Sequence, residues 1–278
     1  MADVDARTRV LGLFGYPVEH SLSPRMHNAA LRHLGINAVY VPFSVRPEDL
    51  EHALAGVRAL GLAGVNLTIP HKVAALDLVD EVVPRAAAVG AINTVMNRDG
   101  CLIGDNTDLH GVTAALEEAG TTFQGKTVVI AGAGGAARAA AFAAAFGGAR
   151  QIVVLNRARE RAAELVRDLG DCATLAGPLS DLPSWLGVTD ILVNATPIGL
   201  HEGDPPMTDL ERLKAGSVVC DLAYRRGDTA LISRAKELGF VTVDGLAILV
   251  HQGAGSFTLW TGLEAPVDVM RTAVVAAS

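Results

Sequence analysis

The stretch TVVIAGAGGAARAAAF, residues 127–142, decides the fold of this chain. Its first five residues, ending at Ala131, are apolar or β-branched and read as a buried strand. Gly132, Ala133, Gly134 and Gly135 then make a tight turn, and an alanine-rich helix runs on through Ala136. Ala137 takes the last position of a GxGxxG/A pattern. Glycines there let the backbone turn sharply and approach a pyrophosphate, which the free N–H groups of the helix N-terminus attract. A plain βα turn that packs tightly is the alternative. The strand before the loop, the helix after it and a second strand about 20 residues on favour a dinucleotide site.

That second strand, QIVVL at 151–155, ends in Asn156-Arg157. A carboxylate at this place would bind the ribose 2′-hydroxyl of NAD and repel a 2′-phosphate, whereas a guanidinium fork attracts the phosphate. Asn156 and Arg157 therefore point to NADP, with Arg161 as a second clamp; the alternative is a solvated arginine ending a strand. A third strand, 190–194, closes on Asn194-Ala195-Thr196-Pro197-Ile198-Gly199, which brings small and polar groups to the sheet edge where ligands of open α/β folds sit.

Working outward, short apolar runs alternate with longer Ala/Leu/Arg/Glu segments. Strands are expected at 10–15, 38–43, 62–67, 127–131, 151–155, 190–194, 217–221 and 241–243. Helices are expected at 24–34, 47–60, 72–79, 84–89, 109–119, 135–146, 158–169, 208–213 and 228–238, with a C-terminal set from 246. The alternation predicts an α/β architecture with parallel sheets. One seam lies near 104–126 and another near Asp244–Gly245; residues 109–244 read as a nucleotide-binding unit inserted between two halves of another domain, a placement that rests partly on the resemblance given below.

Composition narrows the function. The 278 residues suffice for two domains, and half are hydrophobic. The net charge of −7 speaks against a nucleic-acid surface. No apolar run is long enough for a membrane span, and MADVDARTRV lacks an apolar signal core. Cys101, Cys172 and Cys220 are scattered, which fits a reduced, cytoplasmic setting. The eight histidines form no HExxH, so no metal site is expected.

Away from the glycine loop, GVNLTIPHK at 64–72 ends on Lys72 where an amphipathic helix is expected to start. The helix dipole opposes a positive charge there and, with desolvation, lowers a lysine pKa toward the range of a general acid or base. A lysine reaching solvent from the first turn is the plain alternative. GDNTD at 104–108 sets two carboxylates before a helix, and Asp108 is either a helix cap or, if it meets Lys72, the group that orients the amine. HSLSP at 20–24 places two hydroxyls two residues apart.

Taken in order, HSLSP–MHN, NLTIPHK, GAINT, GDNTD, GAGGAARA, NR, NATPIG, DLAY and QGAGSFTLWTG run from residue 20 to 262. That string resembles shikimate dehydrogenase, an NADP-dependent enzyme family of aromatic amino-acid biosynthesis, over about nine-tenths of the chain. The resemblance implies two α/β domains with a cleft between them. Residues 1–108, completed by 245–278, form a substrate-binding and catalytic domain with a mainly parallel sheet; residues 109–244 form a Rossmann-type NADP-binding domain. It implies Lys72 and Asp108 as the catalytic pair. Ser21 and Ser23 would bind the substrate carboxylate, two hydroxyls holding an anion without a second full charge. Asn66, Thr68, Asn93, Tyr224 and Gln252 would hold the rest of a small polyhydroxylated acid. Thr196 and Gly245 would join the glycine loop, Asn156, Arg157 and Arg161 at the cofactor. The implied reaction is reversible reduction of 3-dehydroshikimate by NADPH in a monomer or homodimer.

Three positions depart from the family pattern. Ala158 follows Asn156-Arg157 where a threonine is common, which removes one contact to the 2′-phosphate. Ile248 stands where a methionine is frequent, and Leu109-His110 follows GDNTD where a smaller residue is usual. Two alternatives stay open: a quinate/shikimate dehydrogenase with broader substrate or NAD use, and a non-catalytic nucleotide sensor on the same fold.

Overall fold

A computed structural model describes residues 4–170, 172, 174–201, 203–225 and 227–276. In chain order the elements are β1 (Arg9–Gly15), α1 (Ser23–His33), β2 (Ala38–Ser44), α2 (Leu50–Ala59), β3 (Gly64–Leu67), β4 (Glu81–Val82), α3 (Pro84–Val89), β5 (Thr94–Arg98) and β6 (Cys101–Asp105). There follow α4 (Asp108–Glu118), β7 (Thr127–Ala131), α5 (Gly135–Phe146), β8 (Gln151–Asn156), α6 (Arg159–Asp168), β9 (Thr174–Pro178), α7 (Leu182–Trp185), β10 (Ile191–Asn194), β11 (Val218–Asp221), α8 (Ala230–Glu237), β12 (Val241–Val243), α9 (Gly245–Thr261) and α10 (Val267–Val275). The chain forms two compact units: Met1–Thr107 with Leu249–Ala277, and Asp108–Ile248.

The first unit holds a six-stranded mixed sheet in the order β2-β1-β3-β5-β6-β4. β1 runs parallel to β2 and β3, while β5 is antiparallel to both β3 and β6. One face carries α1, α9 and α10 over a core that includes Met26, Tyr40, Phe257 and Trp260. The other face packs Leu50, Leu54 and Val57 of α2 against Val65, Val95 and Leu102. Large side chains buried this completely each contribute about 1.5–3 kcal/mol of transfer free energy. Gly64 lets the Trp260 indole cross the strand: a Cβ there would lie 2.3 Å from the indole nitrogen, which instead donates to the Val95 carbonyl at 3.0 Å.

The second unit is an all-parallel sheet in the order β12-β11-β10-β7-β8-β9. Read from β7, this is the doubly wound order 3-2-1-4-5-6, whose topological switch lies between β7 and β10. Strands TVVIA, ILVN and VVCD are buried at every residue, as strands covered on both faces must be. α5 buries six alanines and Phe142, and these small side chains let the helix lie close to the sheet.

Three expectations are corrected. The helix at 72–79 is a five-residue 3-10 segment, Ala74–Leu78, and Lys72 lies in the turn before it, so no α-helix dipole acts on the amine. The helix at 208–213 is a single turn, closed by Leu213 N–H to Leu210 O at 2.9 Å; the Asp209 side chain captures the Glu211 N–H at 3.0 Å, a local bond that competes with helix. The segment 47–60 splits into a 3-10 turn, Pro47–Asp49, and α2. Strands β4, β5, β6 and β9 were not anticipated.

Candidate active site

In the first unit, strand register brings the candidate residues to one sheet edge. Phe14 pairs with Leu67, Asn66 with Thr94, and Thr94 with Asp105. The segments leaving β1, β3 and β6 and the one entering β5 therefore share that edge. Main-chain bonds tie them together: Tyr16 N–H to Ile69 O at 3.0 Å, Thr68 N–H to Phe14 O at 2.9 Å, Ile92 N–H to Lys72 O at 2.8 Å and Asn93 N–H to Asp105 O at 3.0 Å. Gly15 is needed here, since a Cβ would stand 2.4 Å from the Thr68 methyl.

Ser21 and Ser23 leave this edge on the path to α1. The Ser21 hydroxyl accepts the Ser23 N–H at 3.2 Å, and α1 begins at Ser23 with Pro24 in its first turn, where the missing N–H costs nothing. Proline thus opens a helix here. Lys72 is half-buried and follows His71, whose ring Nε2 lies 2.8 Å from the Val45 carbonyl. That contact anchors the turn that carries the lysine.

Behind the edge lies a buried polar network. The Asn66 oxygen accepts the Tyr40 hydroxyl at 2.8 Å, and its Nδ2 faces the Asn93 carbonyl at 3.0 Å, Thr94 Oγ1 at 3.1 Å and Ser256 Oγ at 2.9 Å. Asn66 thus has both ends of its amide engaged inside the unit. Asn93 accepts the Thr107 N–H at 2.8 Å and faces Gln252 Oε1 with Nδ2 at 3.3 Å. Of the expected substrate residues, Asn66, Asn93 and Gln252 are thus brought together. Thr68 and the two serines share their sheet edge.

GDNTD divides by function. The Asp105 carboxylate, buried to 1% exposure, takes the Arg85 Nε–H at 2.8 Å and a second guanidinium contact, and it also receives the Asn106 N–H. Asn106 bonds the Ala91 carbonyl and Thr107 bonds Asn93. Asp108 is the first residue of α4, in the second unit.

In the second unit the glycine loop stands at the β7/β10 switch. Gly132 has φ +116° and sends its N–H to Leu155 O at 2.7 Å; a Cβ would lie 2.5 Å from the Ala195 carbonyl. Gly134, Gly135 and Ala136 are exposed, and nothing lies within 4 Å of a Cβ built on either glycine. This cradle of open backbone at a helix N-terminus fits a pyrophosphate. Asn156 closes on its own loop through the Ala158 carbonyl at 2.9 Å, and Arg157 and Arg161 are exposed beyond it. They fit a phosphate on the ribose.

The Thr196 turn is held from within. Asn194 accepts the Thr196 N–H and hydroxyl at 3.0 and 2.7 Å and donates to the buried Asp221 carboxylate at 2.8 Å. Burial pushes the Asp221 carboxyl upward, against the hydrogen bonds from Thr229, Ala223 and Asn194. Tyr224 stands 40% exposed just beyond β11. A Cβ at Gly245 would be 2.6 Å from the Ala223 carbonyl, so α9 can begin against that strand end only with glycine.

Sequence reasoning missed Tyr40, Arg85, Thr94, Asp221 and Ser256. Thr94, Asp221 and Ser256 lie within GAINT, DLAY and QGAGSFTLWTG, and Ser256 stands four residues after Gln252 on one helix face, whereas Tyr40 and Arg85 lie outside every motif. Among the described residues no group of three His, Cys, Asp or Glu is arranged to hold a metal, and no helix is long and apolar enough to cross a membrane.

Three family models match the chain. These are the shikimate dehydrogenase substrate binding domain at 13–95, the shikimate / quinate 5-dehydrogenase at 114–247 and the shikimate 5′-dehydrogenase C-terminal domain at 245–275. The shikimate dehydrogenase (NADP(+)) of Symbiobacterium thermophilum is 47% identical over 277 residues, 97% of this chain and 94% of that protein. A crystal structure of a shikimate dehydrogenase in complex with NADP+ has a TM-score of 0.91 at 41% identity, covering 99% of this chain and 97% of the other. The shikimate 5-dehydrogenase of Listeria monocytogenes, in complex with shikimate and NAD, has a TM-score of 0.92 at 35% identity, covering 99% of each chain.

Proposed function

The chain belongs to the shikimate dehydrogenase family, and from that premise we propose that it catalyses the reversible, NADPH-dependent reduction of 3-dehydroshikimate to shikimate, as a cytoplasmic enzyme. The observation that carries the reading is the shared sheet edge of the first unit, where Ser21, Ser23, Thr68, Lys72 and Asn93 stand on segments bonded to one another. Such an array suits a small anion with several hydroxyls, and a site built on hydroxyl contacts rejects analogues that lack them.

Each residue then has a task. The hydroxyls of Ser21 and Ser23 hold the carboxylate. Thr68, Asn93, Tyr224 and Gln252 hold ring hydroxyls. The glycine loop, Thr196 and Gly245 receive the dinucleotide, and Arg157 and Arg161 select its 2′-phosphate. NADPH, when bound, supplies the hydride for the ketone carbon. Lys72 donates a proton from Nζ to the ketone oxygen as it becomes the hydroxyl, and takes that proton back in the reverse direction. Asp108 orients the amine. Positioned proton transfer of this kind contributes about 10²–10⁴ in rate.

The test is a matrix of kcat/KM for shikimate and quinate against NADP+ and NAD+, followed by the absorbance of the reduced nicotinamide. The expected result is turnover that is highest with shikimate and NADP+. Tight binding of both without turnover makes the chain a sensor, and preference for quinate makes it the broader dehydrogenase.

A further inference from the structure

The hydroxyl cluster under Asn93 has no task in the reading above. Thr94 Oγ1, at 0% exposure, lies 3.0 Å from Asn93 Oδ1, 3.1 Å from Asn66 Nδ2, 2.8 Å from Ser256 Oγ and 3.2 Å from Thr107 Oγ1. It joins β5 to β3, to α9 and to the segment after β6. Asn93 Oδ1 is approached by three donors: the Thr107 N–H at 2.8 Å, the Thr107 hydroxyl at 3.1 Å and the Thr94 hydroxyl at 3.0 Å.

A main-chain N–H can only donate, so the amide atom facing Thr107 is the oxygen and a flipped side chain would set donor against donor. The NH2 group of Asn93 is thereby turned the other way, toward Gln252 Oε1. Asn66 serves the same cluster. Its oxygen takes the Tyr40 hydroxyl, and three acceptors surround its nitrogen. Fully satisfied buried networks of this sort fix a single arrangement of their members.

We propose that the Thr94 hydroxyl is a positioning group that holds the Asn93 side chain with its NH2 toward the substrate position, so that Asn93 meets the ring as a donor to a hydroxyl oxygen, while Asn66 acts within this network. The inference rests on the shikimate reading and is separable from it. Turnover of shikimate by the unaltered enzyme tests the reading, and the variants below test only Thr94.

Thr94→Val keeps the shape and β-branching and removes the hydroxyl, and Thr94→Ser keeps the hydroxyl. The loss of one neutral hydrogen bond corresponds to roughly tenfold in binding. The expected result for Thr94→Val is a shikimate KM raised about tenfold and an unchanged KM for NADP+, with the shikimate KM restored by Thr94→Ser. An unchanged shikimate KM, a parallel rise in both KM values, or a serine variant as impaired as the valine variant overturns the proposal. Should Thr94→Val not fold, Ser256→Ala removes the neighbouring hydroxyl and is read by the same two KM values.

Discussion

The main-chain carbonyl of Lys72 accepts the Ile92 N–H at 2.8 Å, one residue before Asn93. The lysine is therefore pinned to the segment that carries Asn93, and its placement owes nothing to an α-helix, because only a 3-10 turn follows. If Lys72 moves the proton, Lys72→Ala lowers kcat by about 10²–10⁴ while the shikimate KM changes little. Steady-state kinetics decide this, and a variant that turns over normally removes the lysine from the chemistry.

Arg157, Arg159 and Arg161 stand exposed in a five-residue span of a chain with net charge −7, with Glu160 as the one acid among them. Ala158 offers no hydroxyl to a phosphate, so on the proposed reading the guanidinium groups are the ones to discriminate. Arg157→Ala should weaken NADP+ by roughly tenfold or more, the worth of a charge-assisted hydrogen bond, and leave NAD+ use intact. Parallel kinetics with the two cofactors provide the comparison. Equal loss for both assigns Arg157 to the fold.

The glycine loop and its flanking strands were legible because each strand is a continuous apolar run and the turn residues are confined to one place. The β5–β6 hairpin was overlooked although its signal is present. Asp99-Gly100 links strands in which Arg98 faces Cys101, with φ of 53° and 91°, the two-residue turn that Asp-Gly favours. Lys72, Asn93 and Gln252 could be named from their motifs. Tyr40 could not, because it sits inside an apolar strand and its partner Asn66 lies 26 residues away. Thr94 and Asp221 stand within GAINT and DLAY, at the ends of β5 and β11, but their bonds to Asn66 and Asn194 join segments far apart in sequence.

Gly132 tests the dinucleotide loop by itself. With φ of +116° and a would-be Cβ at 2.5 Å from the Ala195 carbonyl, Gly132→Ala must shift backbone at the β7/β10 switch. Strain of this kind costs about 1–3 kcal/mol. A ligand at 100 times its Kd stabilises the folded state by about 2.7 kcal/mol. Thermal melts should therefore show NADP+ raising the Tm of the unaltered protein and leaving that of Gly132→Ala nearly unmoved. An equal shift in both would place the cofactor elsewhere.

Arg85 and Asp105 test the support of GDNTD. The carboxylate is at 1% exposure, and the Arg85 side chain at 55%. Removing the arginine leaves a buried charge held by the Asn106 N–H, so Arg85→Ala should destabilise by about 1–3 kcal/mol, less than for a fully buried pair because solvent reaches the guanidinium site. Urea unfolding measures it. Arg85→Lys restores the charge without the fork and should recover part of the loss.

His27 makes the acid limb of stability a test of the first unit's core. The ring is at 0% exposure, stacks on Tyr40 at 4.3 Å between centroids and has no hydrogen-bond partner at either nitrogen. Burial pushes its pKa down to about 3 from 6.5. The unfolded chain therefore binds the proton first. Between these two values it carries more protons than the folded chain, so stability rises with pH across that window and is lost as pH falls. The slope from this group approaches about 1.4 kcal/mol per pH unit. His27→Phe keeps the stacking and removes the titration. Urea unfolding at a series of pH values should show the variant losing stability less steeply than the unaltered protein from about pH 6 to pH 4, with a constant offset above pH 7 from the change in packing. Parallel curves through the whole range would mean that His27 is protonated alike in both states, and hence that the ring is not sealed in the core.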